Sequence, residues 1–353
     1  MINVGICGFA HGHVFSFAGE WTRDPEHYGV KVVSAWDADD KRLADSLARF
    51  PSGIEACASM DDLLKTDIQA VVITTETAYH AEMCERAARA GKDIILYKPM
   101  ALTMREADRI VDAVNQNGVR LTMGWQMRAD RQNARMREIV QNRELGKVCL
   151  FRRRHGLATH TWEGFENAWH VNPALNRDIF ADDSSHPFNL MQWMFGMPQT
   201  VMCEMSTMVN PKIPNDNAVA VFKYANGMIA EISMSFTTSA AEITTEIYCE
   251  KGSVQQYFGD APATRLPRCE RVPGLQWFRE GDSGWTDSGI PSPEKHAERL
   301  KDQAAPMADF LRGGPALCTA EEGRDTLRLV LSCYLSAREG ARVSVNDDRI
   351  YNI

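Results

Sequence analysis

The chain has 353 residues, more than one hydrophobic core usually fills, so two domains are the starting expectation. Its formal net charge is −8 with no basic block, which argues against nucleic acid or an anionic membrane as partner. No apolar run is long enough to span a bilayer, and 44% hydrophobic with 24% charged residues is the balance of a globular protein in water.

In chain order, the first 122 residues alternate short β-branched runs with helical patterns. Strands are expected at "INVGIC" (2–7), "VKVVSAW" (30–36), "AVVIT" (70–74), "DIILY" (93–97) and "RLTMGW" (120–125). Helices are expected over 39–49, 79–90 and 104–117, the last opening on Thr103 with Glu106 three residues on, a capping-box pattern. Alternation at this pitch implies a parallel sheet with crossover helices, the doubly wound α/β architecture that binds nucleotides. The N-terminal "MINVGICGFA" has no basic leader and reads as a strand, so the expected location is cytoplasmic. Nine scattered cysteines without a CxxC pair suit reduced thiols there.

From about residue 147 the pattern changes to consecutive longer strands: 147–156, 200–206, 217–238 and 245–259. Asn226-Gly227 and Lys251-Gly252 are hairpin signals, so the second domain is expected to be α+β with a large open, mostly antiparallel sheet. The Gly/Pro/Ser-rich stretch 259–293 reads as surface loops, and helices are expected around 296–312 and 320–339. An open sheet with one bare apolar face predicts a homodimer or homotetramer through that sheet. The domain boundary is placed between 124 and 125.

Four stretches carry candidate chemistry. After the first strand, Gly8-Phe9-Ala10-His11-Gly12-His13 is a loose form of the G-x-G-x-x-G turn that presents backbone N–H groups to a pyrophosphate. The second strand ends in "AWDADD", putting Asp37 where a carboxylate accepts the adenosine ribose hydroxyls; a helix N-cap is the other reading of that residue. An acid there repels a 2′-phosphate, and Lys41 and Arg42 come only on the next helix, so NAD is preferred to NADP. Lys98-Pro99 ends the fifth strand at the carboxyl edge of the sheet, where open α/β sheets bind ligands.

The fourth stretch is "FADDSSHPFN" (180–189). Pro187 cannot sit inside a helix, so the helix should begin near Ser184 or Ser185. Asp182 or Asp183 would then cap it, leaving the other acid and His186 at a helix mouth facing away from the core. Oxidising an alcohol requires the hydroxyl proton to leave with the hydride, and an imidazole oriented by a carboxylate suits that task. His186 is therefore the expected general base and Asp182 its partner or an acceptor for a substrate hydroxyl. His155, His160, His170 and His186 crowd one region with Asp182, Asp183 and Glu163, but no spacing matches a zinc motif and no metal is expected.

With these motifs in view, the chain resembles the Gfo/Idh/MocA oxidoreductases over nearly its whole length. The resemblance runs through the glycine turn, "TTETAYHAEMCERAARAGKDIILYKPMALT", "ELGKV", "DDSSHPFNLMQWMFGMP", "YCEKGS" and "AEEGRDTLRLVLSCYLSAREGARV". It implies that Lys98 lies between a substrate hydroxyl and the nicotinamide, with Asp182 and His186 matching the family's Asp-x-x-x-His. It departs at Tyr97, where the family has Glu before Lys-Pro, and at Asn189, where the family has an acid. It further implies His80, Tyr97 and Trp169 beside the cofactor and Asn189 near the substrate. Thr74, Thr75 and Thr77 end the fourth strand, where the cofactor would lie. His155 shares one face of its strand with Arg153 towards a substrate cleft, and Arg128 either reaches a polar substrate or braces the domain junction. The expected activity is NAD-dependent hydride transfer to or from a polyol, sugar or sugar derivative. Two alternatives stand beside it: transient oxidation that serves epimerisation or bond cleavage, and a non-catalytic sensor of NAD or sugar.

Overall fold

The computed structural model describes residues 1–51, 53–239, 244–257, 274–292 and 296–353. The first sheet has six parallel strands: β1 Ile2–Cys7, β2 Val30–Trp36, β3 Glu55–Ala56, β4 Ala70–Ile73, β5 Asp93–Tyr97 and β6 Leu121–Gly124. Their order is β3-β2-β1-β4-β5-β6, the doubly wound arrangement. Every residue of β4 and β6 is buried, because helices cover both faces of a parallel sheet. The strand order reverses between β1 and β4, opening a crevice at their carboxyl ends.

One apolar core binds β1 and β2 to the helices Val14–Arg23 and Ala304–Leu311 through Phe17, Trp21, Met307 and Phe310. The Trp21 indole donates to the Ala304 carbonyl at 2.9 Å, so the polar edge of that buried ring is satisfied. The helix Met104–Asn117 opens on the expected reciprocal cap of Thr103 and Glu106 and ends on Gly118, which takes a left-handed conformation.

The second sheet has nine strands: β7 Val148–Gly156, β8 Thr200–Ser206, β9 Asn217–Lys223, β10 Ile229–Ser235, β11 Thr244–Cys249, β12 Gly252–Gln256, β13 Leu275–Arg279, β14 Thr286–Asp287 and β15 Val343–Ser344. They run β14-β13-β12-β11-β7-β10-β9-β8-β15, antiparallel except where β7 meets β10. Asn226-Gly227 turns β9 into β10 and Lys251-Gly252 turns β11 into β12, as their dipeptides foretold. Burial alternates along β9 and β10; one face carries Phe222, Ile232 and Met234 into the core, and the other leaves Val219 and Ile229 more than 40% exposed.

Contacts group Met1–Ala129 with Leu300–Leu327, and Asp130–Arg299 with Arg328–Ile353. The segment 300–327 thus packs with the N-terminal unit, which a single cut at 124/125 does not capture.

Three expectations need correction. The helix expected over 296–312 is two helices, His296–Lys301 and Ala304–Leu311. Within the stretch expected to be loop, Leu275–Arg279 is a strand that pairs with β12; residues 258–273 and 293–295 of that region lie outside the described residues. The helix around Pro187 runs Ile179–Phe195, with the proline inside it. A proline there removes one backbone donor at a cost of about 3 kcal/mol. Burial of nearly the whole helix offsets that cost, since every residue from Ile179 to Gln192 is buried.

Candidate functional site

The glycine turn is built by strand ends. Gly8 leaves β1 with φ +85°, donates its N–H to the Trp36 carbonyl at 2.7 Å and lies flush against Thr75. A Cβ added there would sit 2.8 Å from both Cα and N of Thr75, so only glycine fits. Thr74 Oγ1 donates to the Gly8 carbonyl at 2.5 Å, and the His11 N–H donates to the Thr74 carbonyl at 3.0 Å. The loop is thereby stitched to both β2 and β4, at the crevice. It runs into the helix Val14–Arg23, whose N-terminus has no side-chain cap, and nothing lies within 4 Å of a Cβ placed on Gly12. The N–H groups of Phe9, His11, Val14, Phe15 and Ser16 already donate to Asp37 or to carbonyls, so what the turn offers a pyrophosphate is close approach at Gly12.

Asp37 follows β2 directly and is buried. Its Oδ2 accepts from the Phe9 N–H at 2.7 Å and Arg42 Nε at 2.8 Å; its Oδ1 accepts from the Asp39 N–H at 2.8 Å and Arg42 Nη2 at 2.8 Å. The N-cap of the helix Asp40–Leu47 is Asp39, which accepts from the Arg42 N–H at 2.9 Å, so the capping reading of Asp37 does not hold. Arg42 Nη1 donates to Glu76 Oε1 at 2.8 Å. Burial opposes the guanidinium charge, yet the hydrogen bonds to Asp37 and Glu76 lift its pKa above the ordinary arginine value.

Lys98 is 3% exposed at the end of β5, and its bond to Pro99 is cis. His80 braces this turn. Its Nδ1 faces the carbonyls of Pro99 at 2.9 Å and Met100 at 3.3 Å, and its Nε2 faces the Thr75 carbonyl at 3.1 Å. Burial pushes that imidazole's pKa down while the three carbonyls favour the protonated ring. These bonds make His80 a clamp between the ends of β4 and β5.

Tyr97 stands where the resemblance has an acid, and its ring turns into the first core, stacked on Phe17 at 5.8 Å. Its hydroxyl meets His13 Nδ1 at 3.0 Å and accepts from Gln303 Nε2 at 3.1 Å. Burial raises the phenol's pKa, so it carries no negative charge towards Lys98. Arg128 donates to the Leu317 carbonyl at 3.1 Å and to Glu322 at 2.8 Å, bonds that brace the first unit.

In the second unit the true cap of the helix Ile179–Phe195 is Asp178. It accepts from the Ala181 N–H at 2.9 Å, Asn215 Nδ2 at 2.6 Å and the Tyr334 hydroxyl at 2.5 Å. Asp182 therefore lies in the first turn of the helix and Asp183, His186 and Asn189 further in, and all four are buried, which corrects the outward-facing helix mouth expected above. Ser184 and Ser185 turn their hydroxyls to the carbonyls of Phe180 and Asp182 within the same helix.

Asp183 Oδ1 lies 3.9 Å from His186 Nε2, and the same carboxylate's Oδ2 is 2.6 Å from Nε2 of His155 on β7. Asp182 meets His170 Nδ1 at 3.2 Å, and Trp169 stacks on the His170 ring at 4.0 Å. Arg153 shares the buried side of β7 with His155 and donates to Thr245 Oγ1 at 2.6 Å. His160 faces the Phe236 carbonyl. Among the described residues no three His, Cys, Asp or Glu side chains are grouped to hold a metal.

Sequence reasoning missed Arg42 and Glu76 beside Asp37, Asp183 between two imidazoles, and Asp178 as cap. Asp178 was findable, since Asp immediately before an apolar Ile-Phe-Ala is an N-terminal signal. The other pairings carry no local signal.

A six-stranded parallel sheet with a glycine turn at its reversal point and an acid closing the second strand defines a dinucleotide-binding α/β protein. The chain belongs to the Gfo/Idh/MocA oxidoreductase family: residues 2–125 match the oxidoreductase family NAD-binding Rossmann fold, and residues 133–255 match the GFO/IDH/MocA C-terminal domain. It is 30% identical over 236 residues to the uncharacterized oxidoreductase YrbE of Bacillus subtilis, covering 64% of this chain and about two thirds (66%) of that relative. It is 26% identical to D-apiose dehydrogenase of Paraburkholderia graminis, over 96% of this chain and 88% of that protein. The solved structure of levoglucosan dehydrogenase with NADH and levoglucosan superposes with a TM-score of 0.83 at 19% identity, covering 98% of this chain and 100% of that one. At that identity the likeness shows the fold. Among the described residues no helix is long and apolar enough to cross a membrane.

Proposed function

We propose that the protein is an NAD-dependent dehydrogenase that oxidises a secondary alcohol of a polyol, sugar or sugar derivative. The observation that carries this reading is Lys98, a buried cation at the carboxyl end of β5 on a turn clamped by His80. Burying a lysine is costly, and it is retained where its charge serves the chemistry. Family membership and the sugar dehydrogenases among the relatives support the substrate class.

The Gly8–His13 turn, Thr74, Thr75, Thr77 and Asp37 would hold NAD, which would supply the hydride acceptor. Lys98 hydrogen-bonds the reacting oxygen and stabilises the negative charge that grows on it as hydride departs. His186 takes the hydroxyl proton, with Asp183 beside it favouring the cation that forms. Asp182, Asn189 and His155 offer polar contacts for the other hydroxyls of the substrate, and Trp169 a flat apolar surface for the nicotinamide. The balance is one alcohol and one NAD⁺ giving one carbonyl compound, one NADH and one proton. NAD is preferred to NADP because Asp37 closes β2.

The test is NADH formation, followed by near-ultraviolet absorbance, across a panel of polyols and sugars. Wild type turns over at least one of them. Lys98→Met loses about 10²–10³-fold in kcat and keeps its affinity for NAD⁺. Binding of NAD⁺ without turnover on any member would overturn the reading.

The half-exposed Val219 and Ile229 on the open sheet face support a homodimer or homotetramer through that face. Light scattering that returns a monomer at micromolar concentration would discard it. Eight described cysteines are free thiols, which fits the reducing cytoplasm.

A further inference from the structure

The ribose reading of Asp37 meets an accounting problem. A carboxylate has about four lone-pair sites, and all four of Asp37 are taken, two by backbone N–H groups and two by Arg42. A ribose diol can reach Asp37 only by replacing bonds from Arg42, because the Phe9 and Asp39 amides are fixed by the loop. Arg42 must then be held elsewhere. Glu76, 13% exposed at the end of β4, already holds Nη1 of the same guanidinium.

Charge decides what such an arrangement admits. One guanidinium between two carboxylates leaves the trio with a formal charge of −1. The other cations nearby lie at the surface: exposed Lys41 pairs with Asp45 at 2.5 Å, and exposed Arg49 stacks on Phe15 at 3.4 Å from the ring centroid. Phe9, Phe15, Arg42, Ser46 and Arg49 line a groove of about 360 Å³, within the size range of small-molecule sites. A dianionic 2′-phosphate brought to this end needs Arg42 and must compete with two carboxylates for it. A neutral diol needs only a share of Asp37.

We propose that Glu76 is a specificity-determining residue: with Asp37 it holds Arg42 in an ion-paired state, so that the adenosine end accepts a ribose diol and rejects a 2′-phosphate. This rests on the reading that the first unit binds NAD in preference to NADP. Removing the Glu76 charge turns the trio neutral and frees Nη1 to meet a phosphate, which reverses part of the discrimination.

The experiment measures dissociation constants for NAD⁺ and NADP⁺ by isothermal titration on the full chain. The proteins are wild type, Glu76→Gln, Glu76→Ala, Arg42→Ala and the Glu76→Gln/Arg42→Ala double variant. Wild type binds NAD⁺ more tightly. Glu76→Gln narrows the NADP⁺/NAD⁺ ratio of dissociation constants on the order of tenfold, chiefly by tightening NADP⁺, for one charge removed at near-contact distance. Glu76→Ala does the same, which separates the charge effect from any packing fault of the Gln variant. The double variant loses the gain, because the gain acts through Arg42. Tighter binding of NADP⁺ by wild type would overturn the NAD reading and this inference together. Preference for NAD⁺ with an unchanged ratio in both Glu76 variants would overturn the inference and leave the NAD reading standing.

Discussion

The adenosine end of the first unit and the imidazole–carboxylate group of the second are assembled by opposite routes. In the first, function follows strand ends: Gly8 comes one residue after β1 and Asp37 one residue after β2, so the fold itself delivers a turn and an acid to the reversal point of the sheet. In the second, His155 comes from β7, His170 from a short 3₁₀ turn and Asp182, Asp183 and His186 from a long helix. Those side chains meet because buried acids and imidazoles need partners, and the partners are chosen by packing rather than by spacing. A parallel sheet fixes its own site; an antiparallel sheet with a helix laid on it supplies a surface on which a site is written residue by residue.

The sharpest way to break this comparison is through the second unit. His186→Gln is expected to lower kcat by about 10²–10⁴-fold, the range for loss of a positioned general base, with the dissociation constant for NAD⁺ unmoved. Asp183→Asn, which removes the carboxylate shared by His155 and His186, should cost less, roughly tenfold in kcat. Stopped-flow turnover with equilibrium titration separates the two effects. If Asp182→Asn matches Asp183→Asn in kcat while both keep KM, the pairing seen in the structure is not the one that serves the base.

That contrast marks what the sequence could tell. Strand runs of β-branched residues located β1, β2, β4, β5 and β6 within a residue or two, and Thr103 with Glu106 fixed the start of its helix. Lys98 was placed at a carboxyl strand end by strand counting alone, while its role came from the resemblance. What failed was a local rule set against tertiary burial. Pro187 was read as a helix breaker, but Phe180, Phe188 and Met191 are fully buried, and their packing outweighs one missing hydrogen bond. The two-residue strand β3 is too short to carry any periodicity. Arg42 and Glu76 are 34 residues apart in sequence, and only the parallel pairing of β1 with β2 and β4 brings their strand ends side by side.

The smallest effect concerns Asp178, and it tests whether the second unit's helix is held by its cap or by its charge. Burial is the main influence on this carboxyl and raises its pKa above the ordinary 3.8, against the hydrogen bonds from Tyr334, the Ala181 N–H and Asn215. An acid with a raised pKa in the folded state binds its proton more readily folded than unfolded. Its contribution to stability is therefore full below the ordinary value and falls as pH climbs through the raised one, after which it is flat. Asn caps a helix about as well as Asp and does not titrate. Asp178→Asn should accordingly stay within about 1 kcal/mol of wild type at neutral pH, and lose the downward slope that wild type shows just above pH 3.8. Urea denaturation at a series of pH values measures the difference directly, since every other titrating group is common to both proteins. Parallel curves would mean that the three hydrogen bonds to Asp178 compensate its burial in full, and that the cap geometry rather than the charge is what this helix start keeps.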